Sequence, residues 1–384
     1  MNQPTTELPF TVEEYRARVH SVRARMAAAG IDVLLVYWPE NIYYLTGYDS
    51  LGYFSYQVFV LPLEGDGFFV VRRLDRQNVV DATWVQQCDV YQDGEDPVAQ
   101  TVAALEHRGL AGKRIAAEID GYFLSPRNYN KLAGRLEMID GSQIINRERL
   151  VKSPREIEYI RAACRAMETG ARAGVDAMKP GNTENDVAAA LLYASVRAGS
   201  EYTGHAPLVA TGPRSARSFA TWSGRKIQNG DIIAFEPAAS IRRYHGLMVR
   251  TVSVGEPADK RVRQLCDASI EGINAGLSFM KPGVAAREVD EITKAAPRRA
   301  GFGKYCVSRS GYGVGIGFPP DWGEGRTISL GARDLTILEP NMTFHYMNPI
   351  WYEGFTKVSF SETIRITETG CEVISSFPRE LIVV

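Results

Sequence analysis

The sequence has 384 residues, 45% of them hydrophobic, and its 44 Lys and Arg nearly cancel its 45 Asp and Glu to leave a formal net charge of −1. That length favours two domains over one, and the near-neutral balance gives no electrostatic reason to expect nucleic-acid or acidic-membrane binding. No apolar run approaches the roughly 18 residues of a bilayer span, and the start, MNQPTTELPF, has neither a basic n-region nor an apolar h-region. The expectation is a soluble, cytoplasmic protein. Its five cysteines (Cys88, Cys164, Cys266, Cys306, Cys371) are scattered, without metal-ligand spacing, and read as free buried thiols.

The first unit opens on a capping-box pattern, Thr11 to Glu14, followed by Tyr15, Val19, Val22 and Met26 at helical spacing and a stop at Gly30. Strands are predicted over 31–37, 57–61, 67–72 and 114–119, with a helix over 96–107 before the last of them. Helices alternating with strands over about 145 residues predict an α/β domain spanning residues 1–150. A second start follows at Ser153-Pro154-Arg155-Glu156, where Ser153 can cap, Pro154 takes the first helical position and Glu156 can close the box. Ile157, Ile160, Cys164 and Met167 continue it as an ordinary core stripe.

Residues 151–384 contain an internal echo. Met178-Lys179-Pro180-Gly181 recurs as Met280-Lys281-Pro282-Gly283, each copy between two predicted helices, with the second helices over 182–198 and 284–299. Strands are predicted at 231–238 and 248–254 after the first pair, and at 336–348 and 359–367 after the second. Two related α,α,β,β halves make an α+β domain whose internal interface is a natural place for a site.

Several polar residues interrupt these strands. Glu236 ends the apolar run Ile232-Ile233-Ala234-Phe235, so burial should raise its pKa unless a cation compensates. It is either a general base or nucleophile, or a strand-end carboxylate paired with Arg242, Arg243 or Arg250. His245, beside Tyr244, is either a proton donor or a loop histidine. The glycines at 311, 313, 315 and 317 lack the Lys-Ser/Thr of a phosphate loop and read as close backbone packing. His345 and Met347 share one strand face, and Glu362 adds a further carboxylate.

Together these segments resemble the pita-bread-fold family of proline-specific aminopeptidases, prolidases and creatinase. The resemblance rests on Glu40-Asn41-Ile42-Tyr43-Tyr44-Leu45-Thr46-Gly47-Tyr48, on Lys152-Ser153-Pro154-Arg155-Glu156-Ile157 and on the duplicated second domain. It implies a creatinase-like α/β N-terminal domain followed by a duplicated α+β pita-bread domain. Family peptidases hold two metal ions through two Asp, one His and two Glu; the matching positions here are Glu236, Leu247, Tyr312, Met347 and Ser361, with Glu362 beside the last. One carboxylate and four substitutions imply no metal and no other cofactor, and make metal-dependent dipeptidase activity an unfavourable reading.

The departures themselves resemble the ectoine hydrolase branch, which opens a cyclic amidine carboxylate by adding water. They are Arg243-Tyr244-His245, Arg309-Ser310-Gly311-Tyr312, Phe318-Pro319-Pro320-Asp321-Trp322-Gly323-Glu324, Met342-Thr343-Phe344-His345 and Ser361-Glu362. One mismatch stands out: the branch carries a histidine where Phe219 precedes Ala220-Thr221-Trp222, while His205 stands where the branch is apolar. The resemblance implies metal-independent hydrolysis of a non-peptide carbon–nitrogen bond. Glu236 would be base or nucleophile, His245 or His345 the proton donor, and Tyr312 the group that orients the substrate.

Arg242 or Arg250 would receive the substrate carboxylate, and His205, Phe219, Trp222, Tyr244, Leu247, Asp321, Trp322, Met347, Trp351 and Glu362 would complete the pocket. Two other readings are a ligand-binding protein with weakened catalysis, which Phe219 favours, and a specialised-pathway or creatinase-like enzyme acting on a different small molecule. Tyr48, Tyr53, Phe54 and Tyr56 resemble the segment that reaches a neighbouring subunit's site in family dimers. The expected partners are therefore a small-molecule substrate and a second copy of the chain.

Overall fold

The computed structural model describes residues 7–384; the leader reading of the first residues lies partly outside them. The chain divides into two compact units, one ending at Arg149 and the other running from Leu150 to Val384. Among the described residues no helix is long and apolar enough to cross a membrane.

In the first unit the helix Val12–Ala28 begins where the sequence signals it, with the Thr11 hydroxyl accepting the Glu14 N–H at 3.2 Å. Gly30 ends it at φ 66°, a left-handed conformation that glycine adopts without a Cβ penalty. The following strands form a mixed six-stranded sheet in the order Gln87–Tyr91, Phe68–Arg72, Val58–Pro62, Val33–Val36, Ile115–Ala117 and Met138–Asp140. Four of these strands were legible as apolar runs. The two edge strands were not, because Gln87–Tyr91 mixes polar residues with apolar ones, Met138–Asp140 is only three residues long, and both are part-exposed. Val33, Leu35, Val58, Val60, Phe68 and Val70 pack with Val98 and Leu105 of the helix Pro97–His107 into one core.

The second unit opens on the helix Pro154–Asp176, whose Ser153–Glu156 capping box is closed in both directions. Its two halves repeat a helix pair: Pro154–Asp176 with Glu184–Arg197, and Lys260–Phe279 with Ala286–Arg299. The echoed tetrapeptides occupy equivalent turns, with Met178 and Met280 buried and Gly181 and Gly283 at φ 92° and 90°. The first half carries a four-stranded sheet, ordered Ile382–Val383, Arg250–Ser253, Ile232–Glu236 and Leu208–Thr211. The second carries five strands, ordered Ser329–Leu330, Gly311–Gly313, Thr343–Met347, Ser361–Ile366 and Cys371–Val373.

The strand predicted over 231–238 breaks at Pro237, which has no N–H to continue a ladder. The chain turns there into a separate hairpin, Ala238–Ile241 with Tyr244–Leu247, closed by Arg242 and Arg243 at φ 48° and 64°. Two successive left-handed residues at a two-residue turn suit the twist of a hairpin. The strand predicted over 336–348 is confined to Thr343–Met347. Each half keeps its own apolar core, and a small third cluster of Ala238, Leu247, Tyr312, Val314 and Trp322 forms apart from both, with Met347 packed against it.

Candidate active site

The small cluster brings together four of the residues expected at the site. Leu247 reaches it from the hairpin and Tyr312 from the strand Gly311–Gly313; Met347 ends the adjacent strand, and Trp322 comes from the loop after the glycine run. Glu236, at the end of its strand, keeps some accessible surface, and its carboxylate makes no hydrogen bond to a described residue. Burial raises its pKa above the ordinary carboxylate value, and the charge of Lys357 opposes that shift. Of its expected arginine partners, Arg250 and Arg243 are committed elsewhere and Arg242 sits in the hairpin turn; the cation that Glu236 senses is a lysine the sequence reading passed over.

Tyr312 is held by a chain of hydrogen bonds. The Ser361 hydroxyl accepts the Val249 N–H at 2.6 Å and lies 2.6 Å from His345 Nε2; His345 Nδ1 lies 2.9 Å from the Tyr312 hydroxyl. The indole Nε1–H of Trp322 donates to the same hydroxyl at 2.9 Å. We assign the tautomer that leaves no donor unmatched: Ser361 donates to Nε2, and the His345 proton sits on Nδ1 and is donated to Tyr312. The Tyr312 oxygen then accepts twice, and its own proton is not committed to any described acceptor. Burial, then the nearby Glu236 charge, pushes the Tyr312 pKa well above its usual value, so its hydroxyl stays protonated.

Neither buried histidine is a cationic acid. Burial pushes His345 down to about 3, helped by Arg309, and pushes His245 down to about 3, helped by Arg243. His245 accepts the Gly204 N–H on Nε2 at 2.9 Å and underlies the backbone of the neighbouring loops. Two glycines permit that packing: a Cβ on Gly204 would stand 2.0 Å from the Asp321 carbonyl, and one on Gly317 would stand 2.9 Å from the His245 ring. The glycine run is thus close packing, as its lack of a phosphate-loop signature suggested.

His205 stacks on Trp322, with ring centroids 3.3 Å apart, and meets the edge of Phe219 at 6.4 Å. Its Nδ1 lies 2.8 Å from the Ala206 carbonyl, and burial lowers its pKa. The two residues expected to depart from the branch pattern, His205 and Phe219, therefore come together beside Trp322, with Asp321 exposed nearby. Trp351, paired with Lys357 across a short hairpin, carries the lysine ammonium 4.7 Å above its ring.

Four expected pocket residues, and Tyr48 and Tyr53 of the first unit, are engaged elsewhere. Arg250 is fully buried and donates to the carbonyls of Pro378, Val249, Ser361 and Phe377 and to Glu362, leaving no donor for a substrate. Glu362 is held in turn by Arg250, Arg379 and Ser375. Tyr244 donates to Glu156 at 2.8 Å and stacks on Tyr159. Trp222 packs on the core of the first half, a cluster that includes Phe235 and Ile233. Tyr48 is buried in its own unit, its ring 5.3 Å from Phe69, whereas Tyr53 packs edge-on against Phe123 and leaves Leu51 and Phe54 exposed.

Missing from the sequence reading were Lys357, whose signal was a lone charge in the run Thr356-Lys357-Val358-Ser359-Phe360-Ser361, and the positioning role of Ser361. Among the described residues no three His, Cys, Asp or Glu side chains come together as a metal-holding group. With Leu247 and Met347 presenting apolar surface where ligands would be required, these residues do not fit a dinuclear metal centre.

Residues 158–368 match the model of metallopeptidase family M24, and residues 18–151 match the creatinase/prolidase N-terminal domain. The chain is 35% identical to an ectoine hydrolase of Halomonas elongata, covering 98% of both chains. It is 31% identical to an uncharacterized hydrolase/peptidase of Sinorhizobium fredii, covering 98% of this chain and 99% of the relative. Among solved structures it superposes on dipeptidase PepE from Mycobacterium ulcerans with a TM-score of 0.83 at 25% identity, covering 98% and 99% of the two chains. A prolidase from Thermococcus sibiricus superposes with a TM-score of 0.87 at 22% identity over 96% and 99%, a likeness of fold alone. With both domains matched in order and the duplicated architecture present, the chain belongs to metallopeptidase family M24 as a pita-bread-fold hydrolase with a creatinase-type N-terminal domain.

Proposed function

We propose that this protein hydrolyses a non-peptide carbon–nitrogen bond in a small amidine-like or cyclic amino-acid derivative, by ring opening of the ectoine-hydrolase type and without a metal ion. The observation that carries this reading is the unpaired Glu236 carboxylate, facing a cluster in which Leu247 and Met347 stand at family ligand positions. Similarity to an ectoine hydrolase over nearly the whole chain supports it.

An amidinium carbon is already electrophilic, so its hydrolysis does not require a Lewis acid. Glu236 either attacks that carbon or takes a proton from the water that does, and its charge stabilises the cationic substrate. Addition of water across the carbon–nitrogen double bond, followed by cleavage of the ring carbon–nitrogen bond, leaves one amide and one amine. Tyr312, its oxygen fixed by His345 and Trp322, donates a hydrogen bond that orients the reacting group. His205, the imidazole stacked on Trp322, is the group placed to carry a proton to the departing nitrogen. Precisely positioned acid–base help of this kind is worth about 10²–10⁴-fold in rate.

A second reading, ligand binding with weakened catalysis, is favoured by Phe219, which is 76% exposed and left-handed at φ 53° where the branch carries a histidine. Thermal-shift screening against ectoine, creatine, cyclic amidines and proline dipeptides, with product analysis for every stabilising compound, separates the two. Turnover of a non-peptide member, abolished in Glu236→Gln without loss of folding, is the expected result. Cleavage of proline dipeptides alone would overturn the proposal. We also infer a homodimer, with exposed Leu51 and Phe54 on the contact surface; a monomer in sedimentation would refute it.

A further inference from the structure

Lys357 is only 7% exposed and stands opposite Trp351 in the hairpin Ile350–Tyr352 with Thr356–Val358. Its ammonium makes no hydrogen bond to a described residue and no ion pair within 4.0 Å. A buried cation without a partner is costly and is ordinarily found paired. Two other polar groups beside it share that state. The Trp351 Nε1–H is buried without an acceptor, and the ammonium lies 4.7 Å from the centroid of the same ring. The Glu236 carboxylate is likewise unbonded, and it and Lys357 act on one another's charge.

An anion, a cation and an N–H donor, all unmatched and grouped in one place, are complementary to a ligand that brings a cation and an anionic acceptor. Arg250, the residue the sequence suggested for a carboxylate, has spent its donors on backbone carbonyls and Glu362. We propose that Lys357, together with the Trp351 indole N–H, receives the carboxylate of the substrate, so that the pocket selects small zwitterions whose cationic carbon faces Glu236. This rests on the hydrolase reading of Glu236 and adds a specificity element to it. Between turnovers Lys357 offsets the Glu236 charge; on binding, each of the two charges exchanges the other for the opposite end of the substrate.

The test is calorimetric binding to the full-length protein of matched compounds with and without a carboxylate: ectoine against the same cyclic amidine lacking the carboxylate, and creatine against methylguanidine. In Lys357→Met, affinity for the carboxylate-bearing member of a pair that binds should fall about 10- to 100-fold, the scale of a charge-assisted hydrogen bond, while the other member is little affected. Trp351→Phe, which keeps a ring under the lysine, should show the same selectivity with a loss of about 3- to 10-fold and serves if the first variant does not fold. Equal losses for both members, or no loss, would overturn the inference and leave the hydrolase reading standing. If the unmodified protein binds no member of either pair, both fall together.

Discussion

Replacing Tyr312 by phenylalanine keeps the ring in its apolar cluster and removes one oxygen. That oxygen is the acceptor for the Trp322 indole N–H and the partner of His345 Nδ1, each at 2.9 Å. All three side chains are buried, so no bulk water replaces the lost acceptor. A buried donor left unmatched costs about 1–3 kcal/mol, and two of them give about 2–6 kcal/mol. The lower end applies if His345 moves its proton to Nε2 and donates to Ser361 instead. Urea denaturation of Tyr312→Phe measures this as a shift in midpoint at constant slope. Turnover on the substrate found by screening should fall as well, because the donor that orients the reacting group is gone. A stability change below about 0.5 kcal/mol would refute the hydrogen-bond assignment, since that is the scatter of surface substitutions.

The two units should respond to pH in opposite directions. Glu118, whose oxygens accept from Tyr37 N, Trp38 N and Asn41, is pushed by burial up to about 7. Its folded pKa lies above the unfolded value of about 4.3, so the stability it confers is full below that value and is lost as pH rises through 7. His245 and His345, pushed down to about 3, do the reverse in the second unit: their contribution is full above the unfolded value of about 6.5 and is lost as pH falls. Hydrogen exchange read by mass spectrometry on the intact chain should show the first unit loosening and the second tightening from pH 4.5 to 6.5; slopes of the same sign would contradict this. Glu324→Gln removes the carboxylate that buried Lys152 meets at 2.7 Å, exchanging a charge-assisted hydrogen bond for a neutral one, and should cost about 1–3 kcal/mol in thermal or urea unfolding. Gly204→Ala should lower both stability and activity, because its Cβ would force the chain away from the Asp321 carbonyl and disturb the His205–Trp322 stack.

Fold was the more legible part of the sequence. Apolar runs bounded by Gly30, Pro154 and the paired Met-Lys-Pro-Gly segments announce the central strands and the helix pairs directly. The edge strands Gln87–Tyr91 and Met138–Asp140 carry no such run, since an edge needs apolar residues on fewer sides. The site was legible where motif positions carried it, as with Glu236, Tyr312, Leu247 and Met347. It was not legible where side-chain pairing decides the outcome. Arg250 and Glu362 neutralise one another in the core, and Tyr244 is consumed by Glu156, two facts that depend on contacts more than 80 residues apart in the chain. Lys357 was missed for the converse reason: its interest lies in having no hydrogen-bond or close ion-pair partner among the described residues, which only the fold reveals.

The central claim is that Glu236 works on a non-peptide carbon–nitrogen bond without a metal. Its most direct test is mass analysis of the product formed from ectoine by chelator-stripped protein in heavy-oxygen water. The expected product is a ring-opened amide carrying one solvent oxygen, formed at an undiminished rate after stripping and absent with Glu236→Gln. Activity that disappears on stripping and returns with a divalent metal, or a product without solvent oxygen, would contradict it.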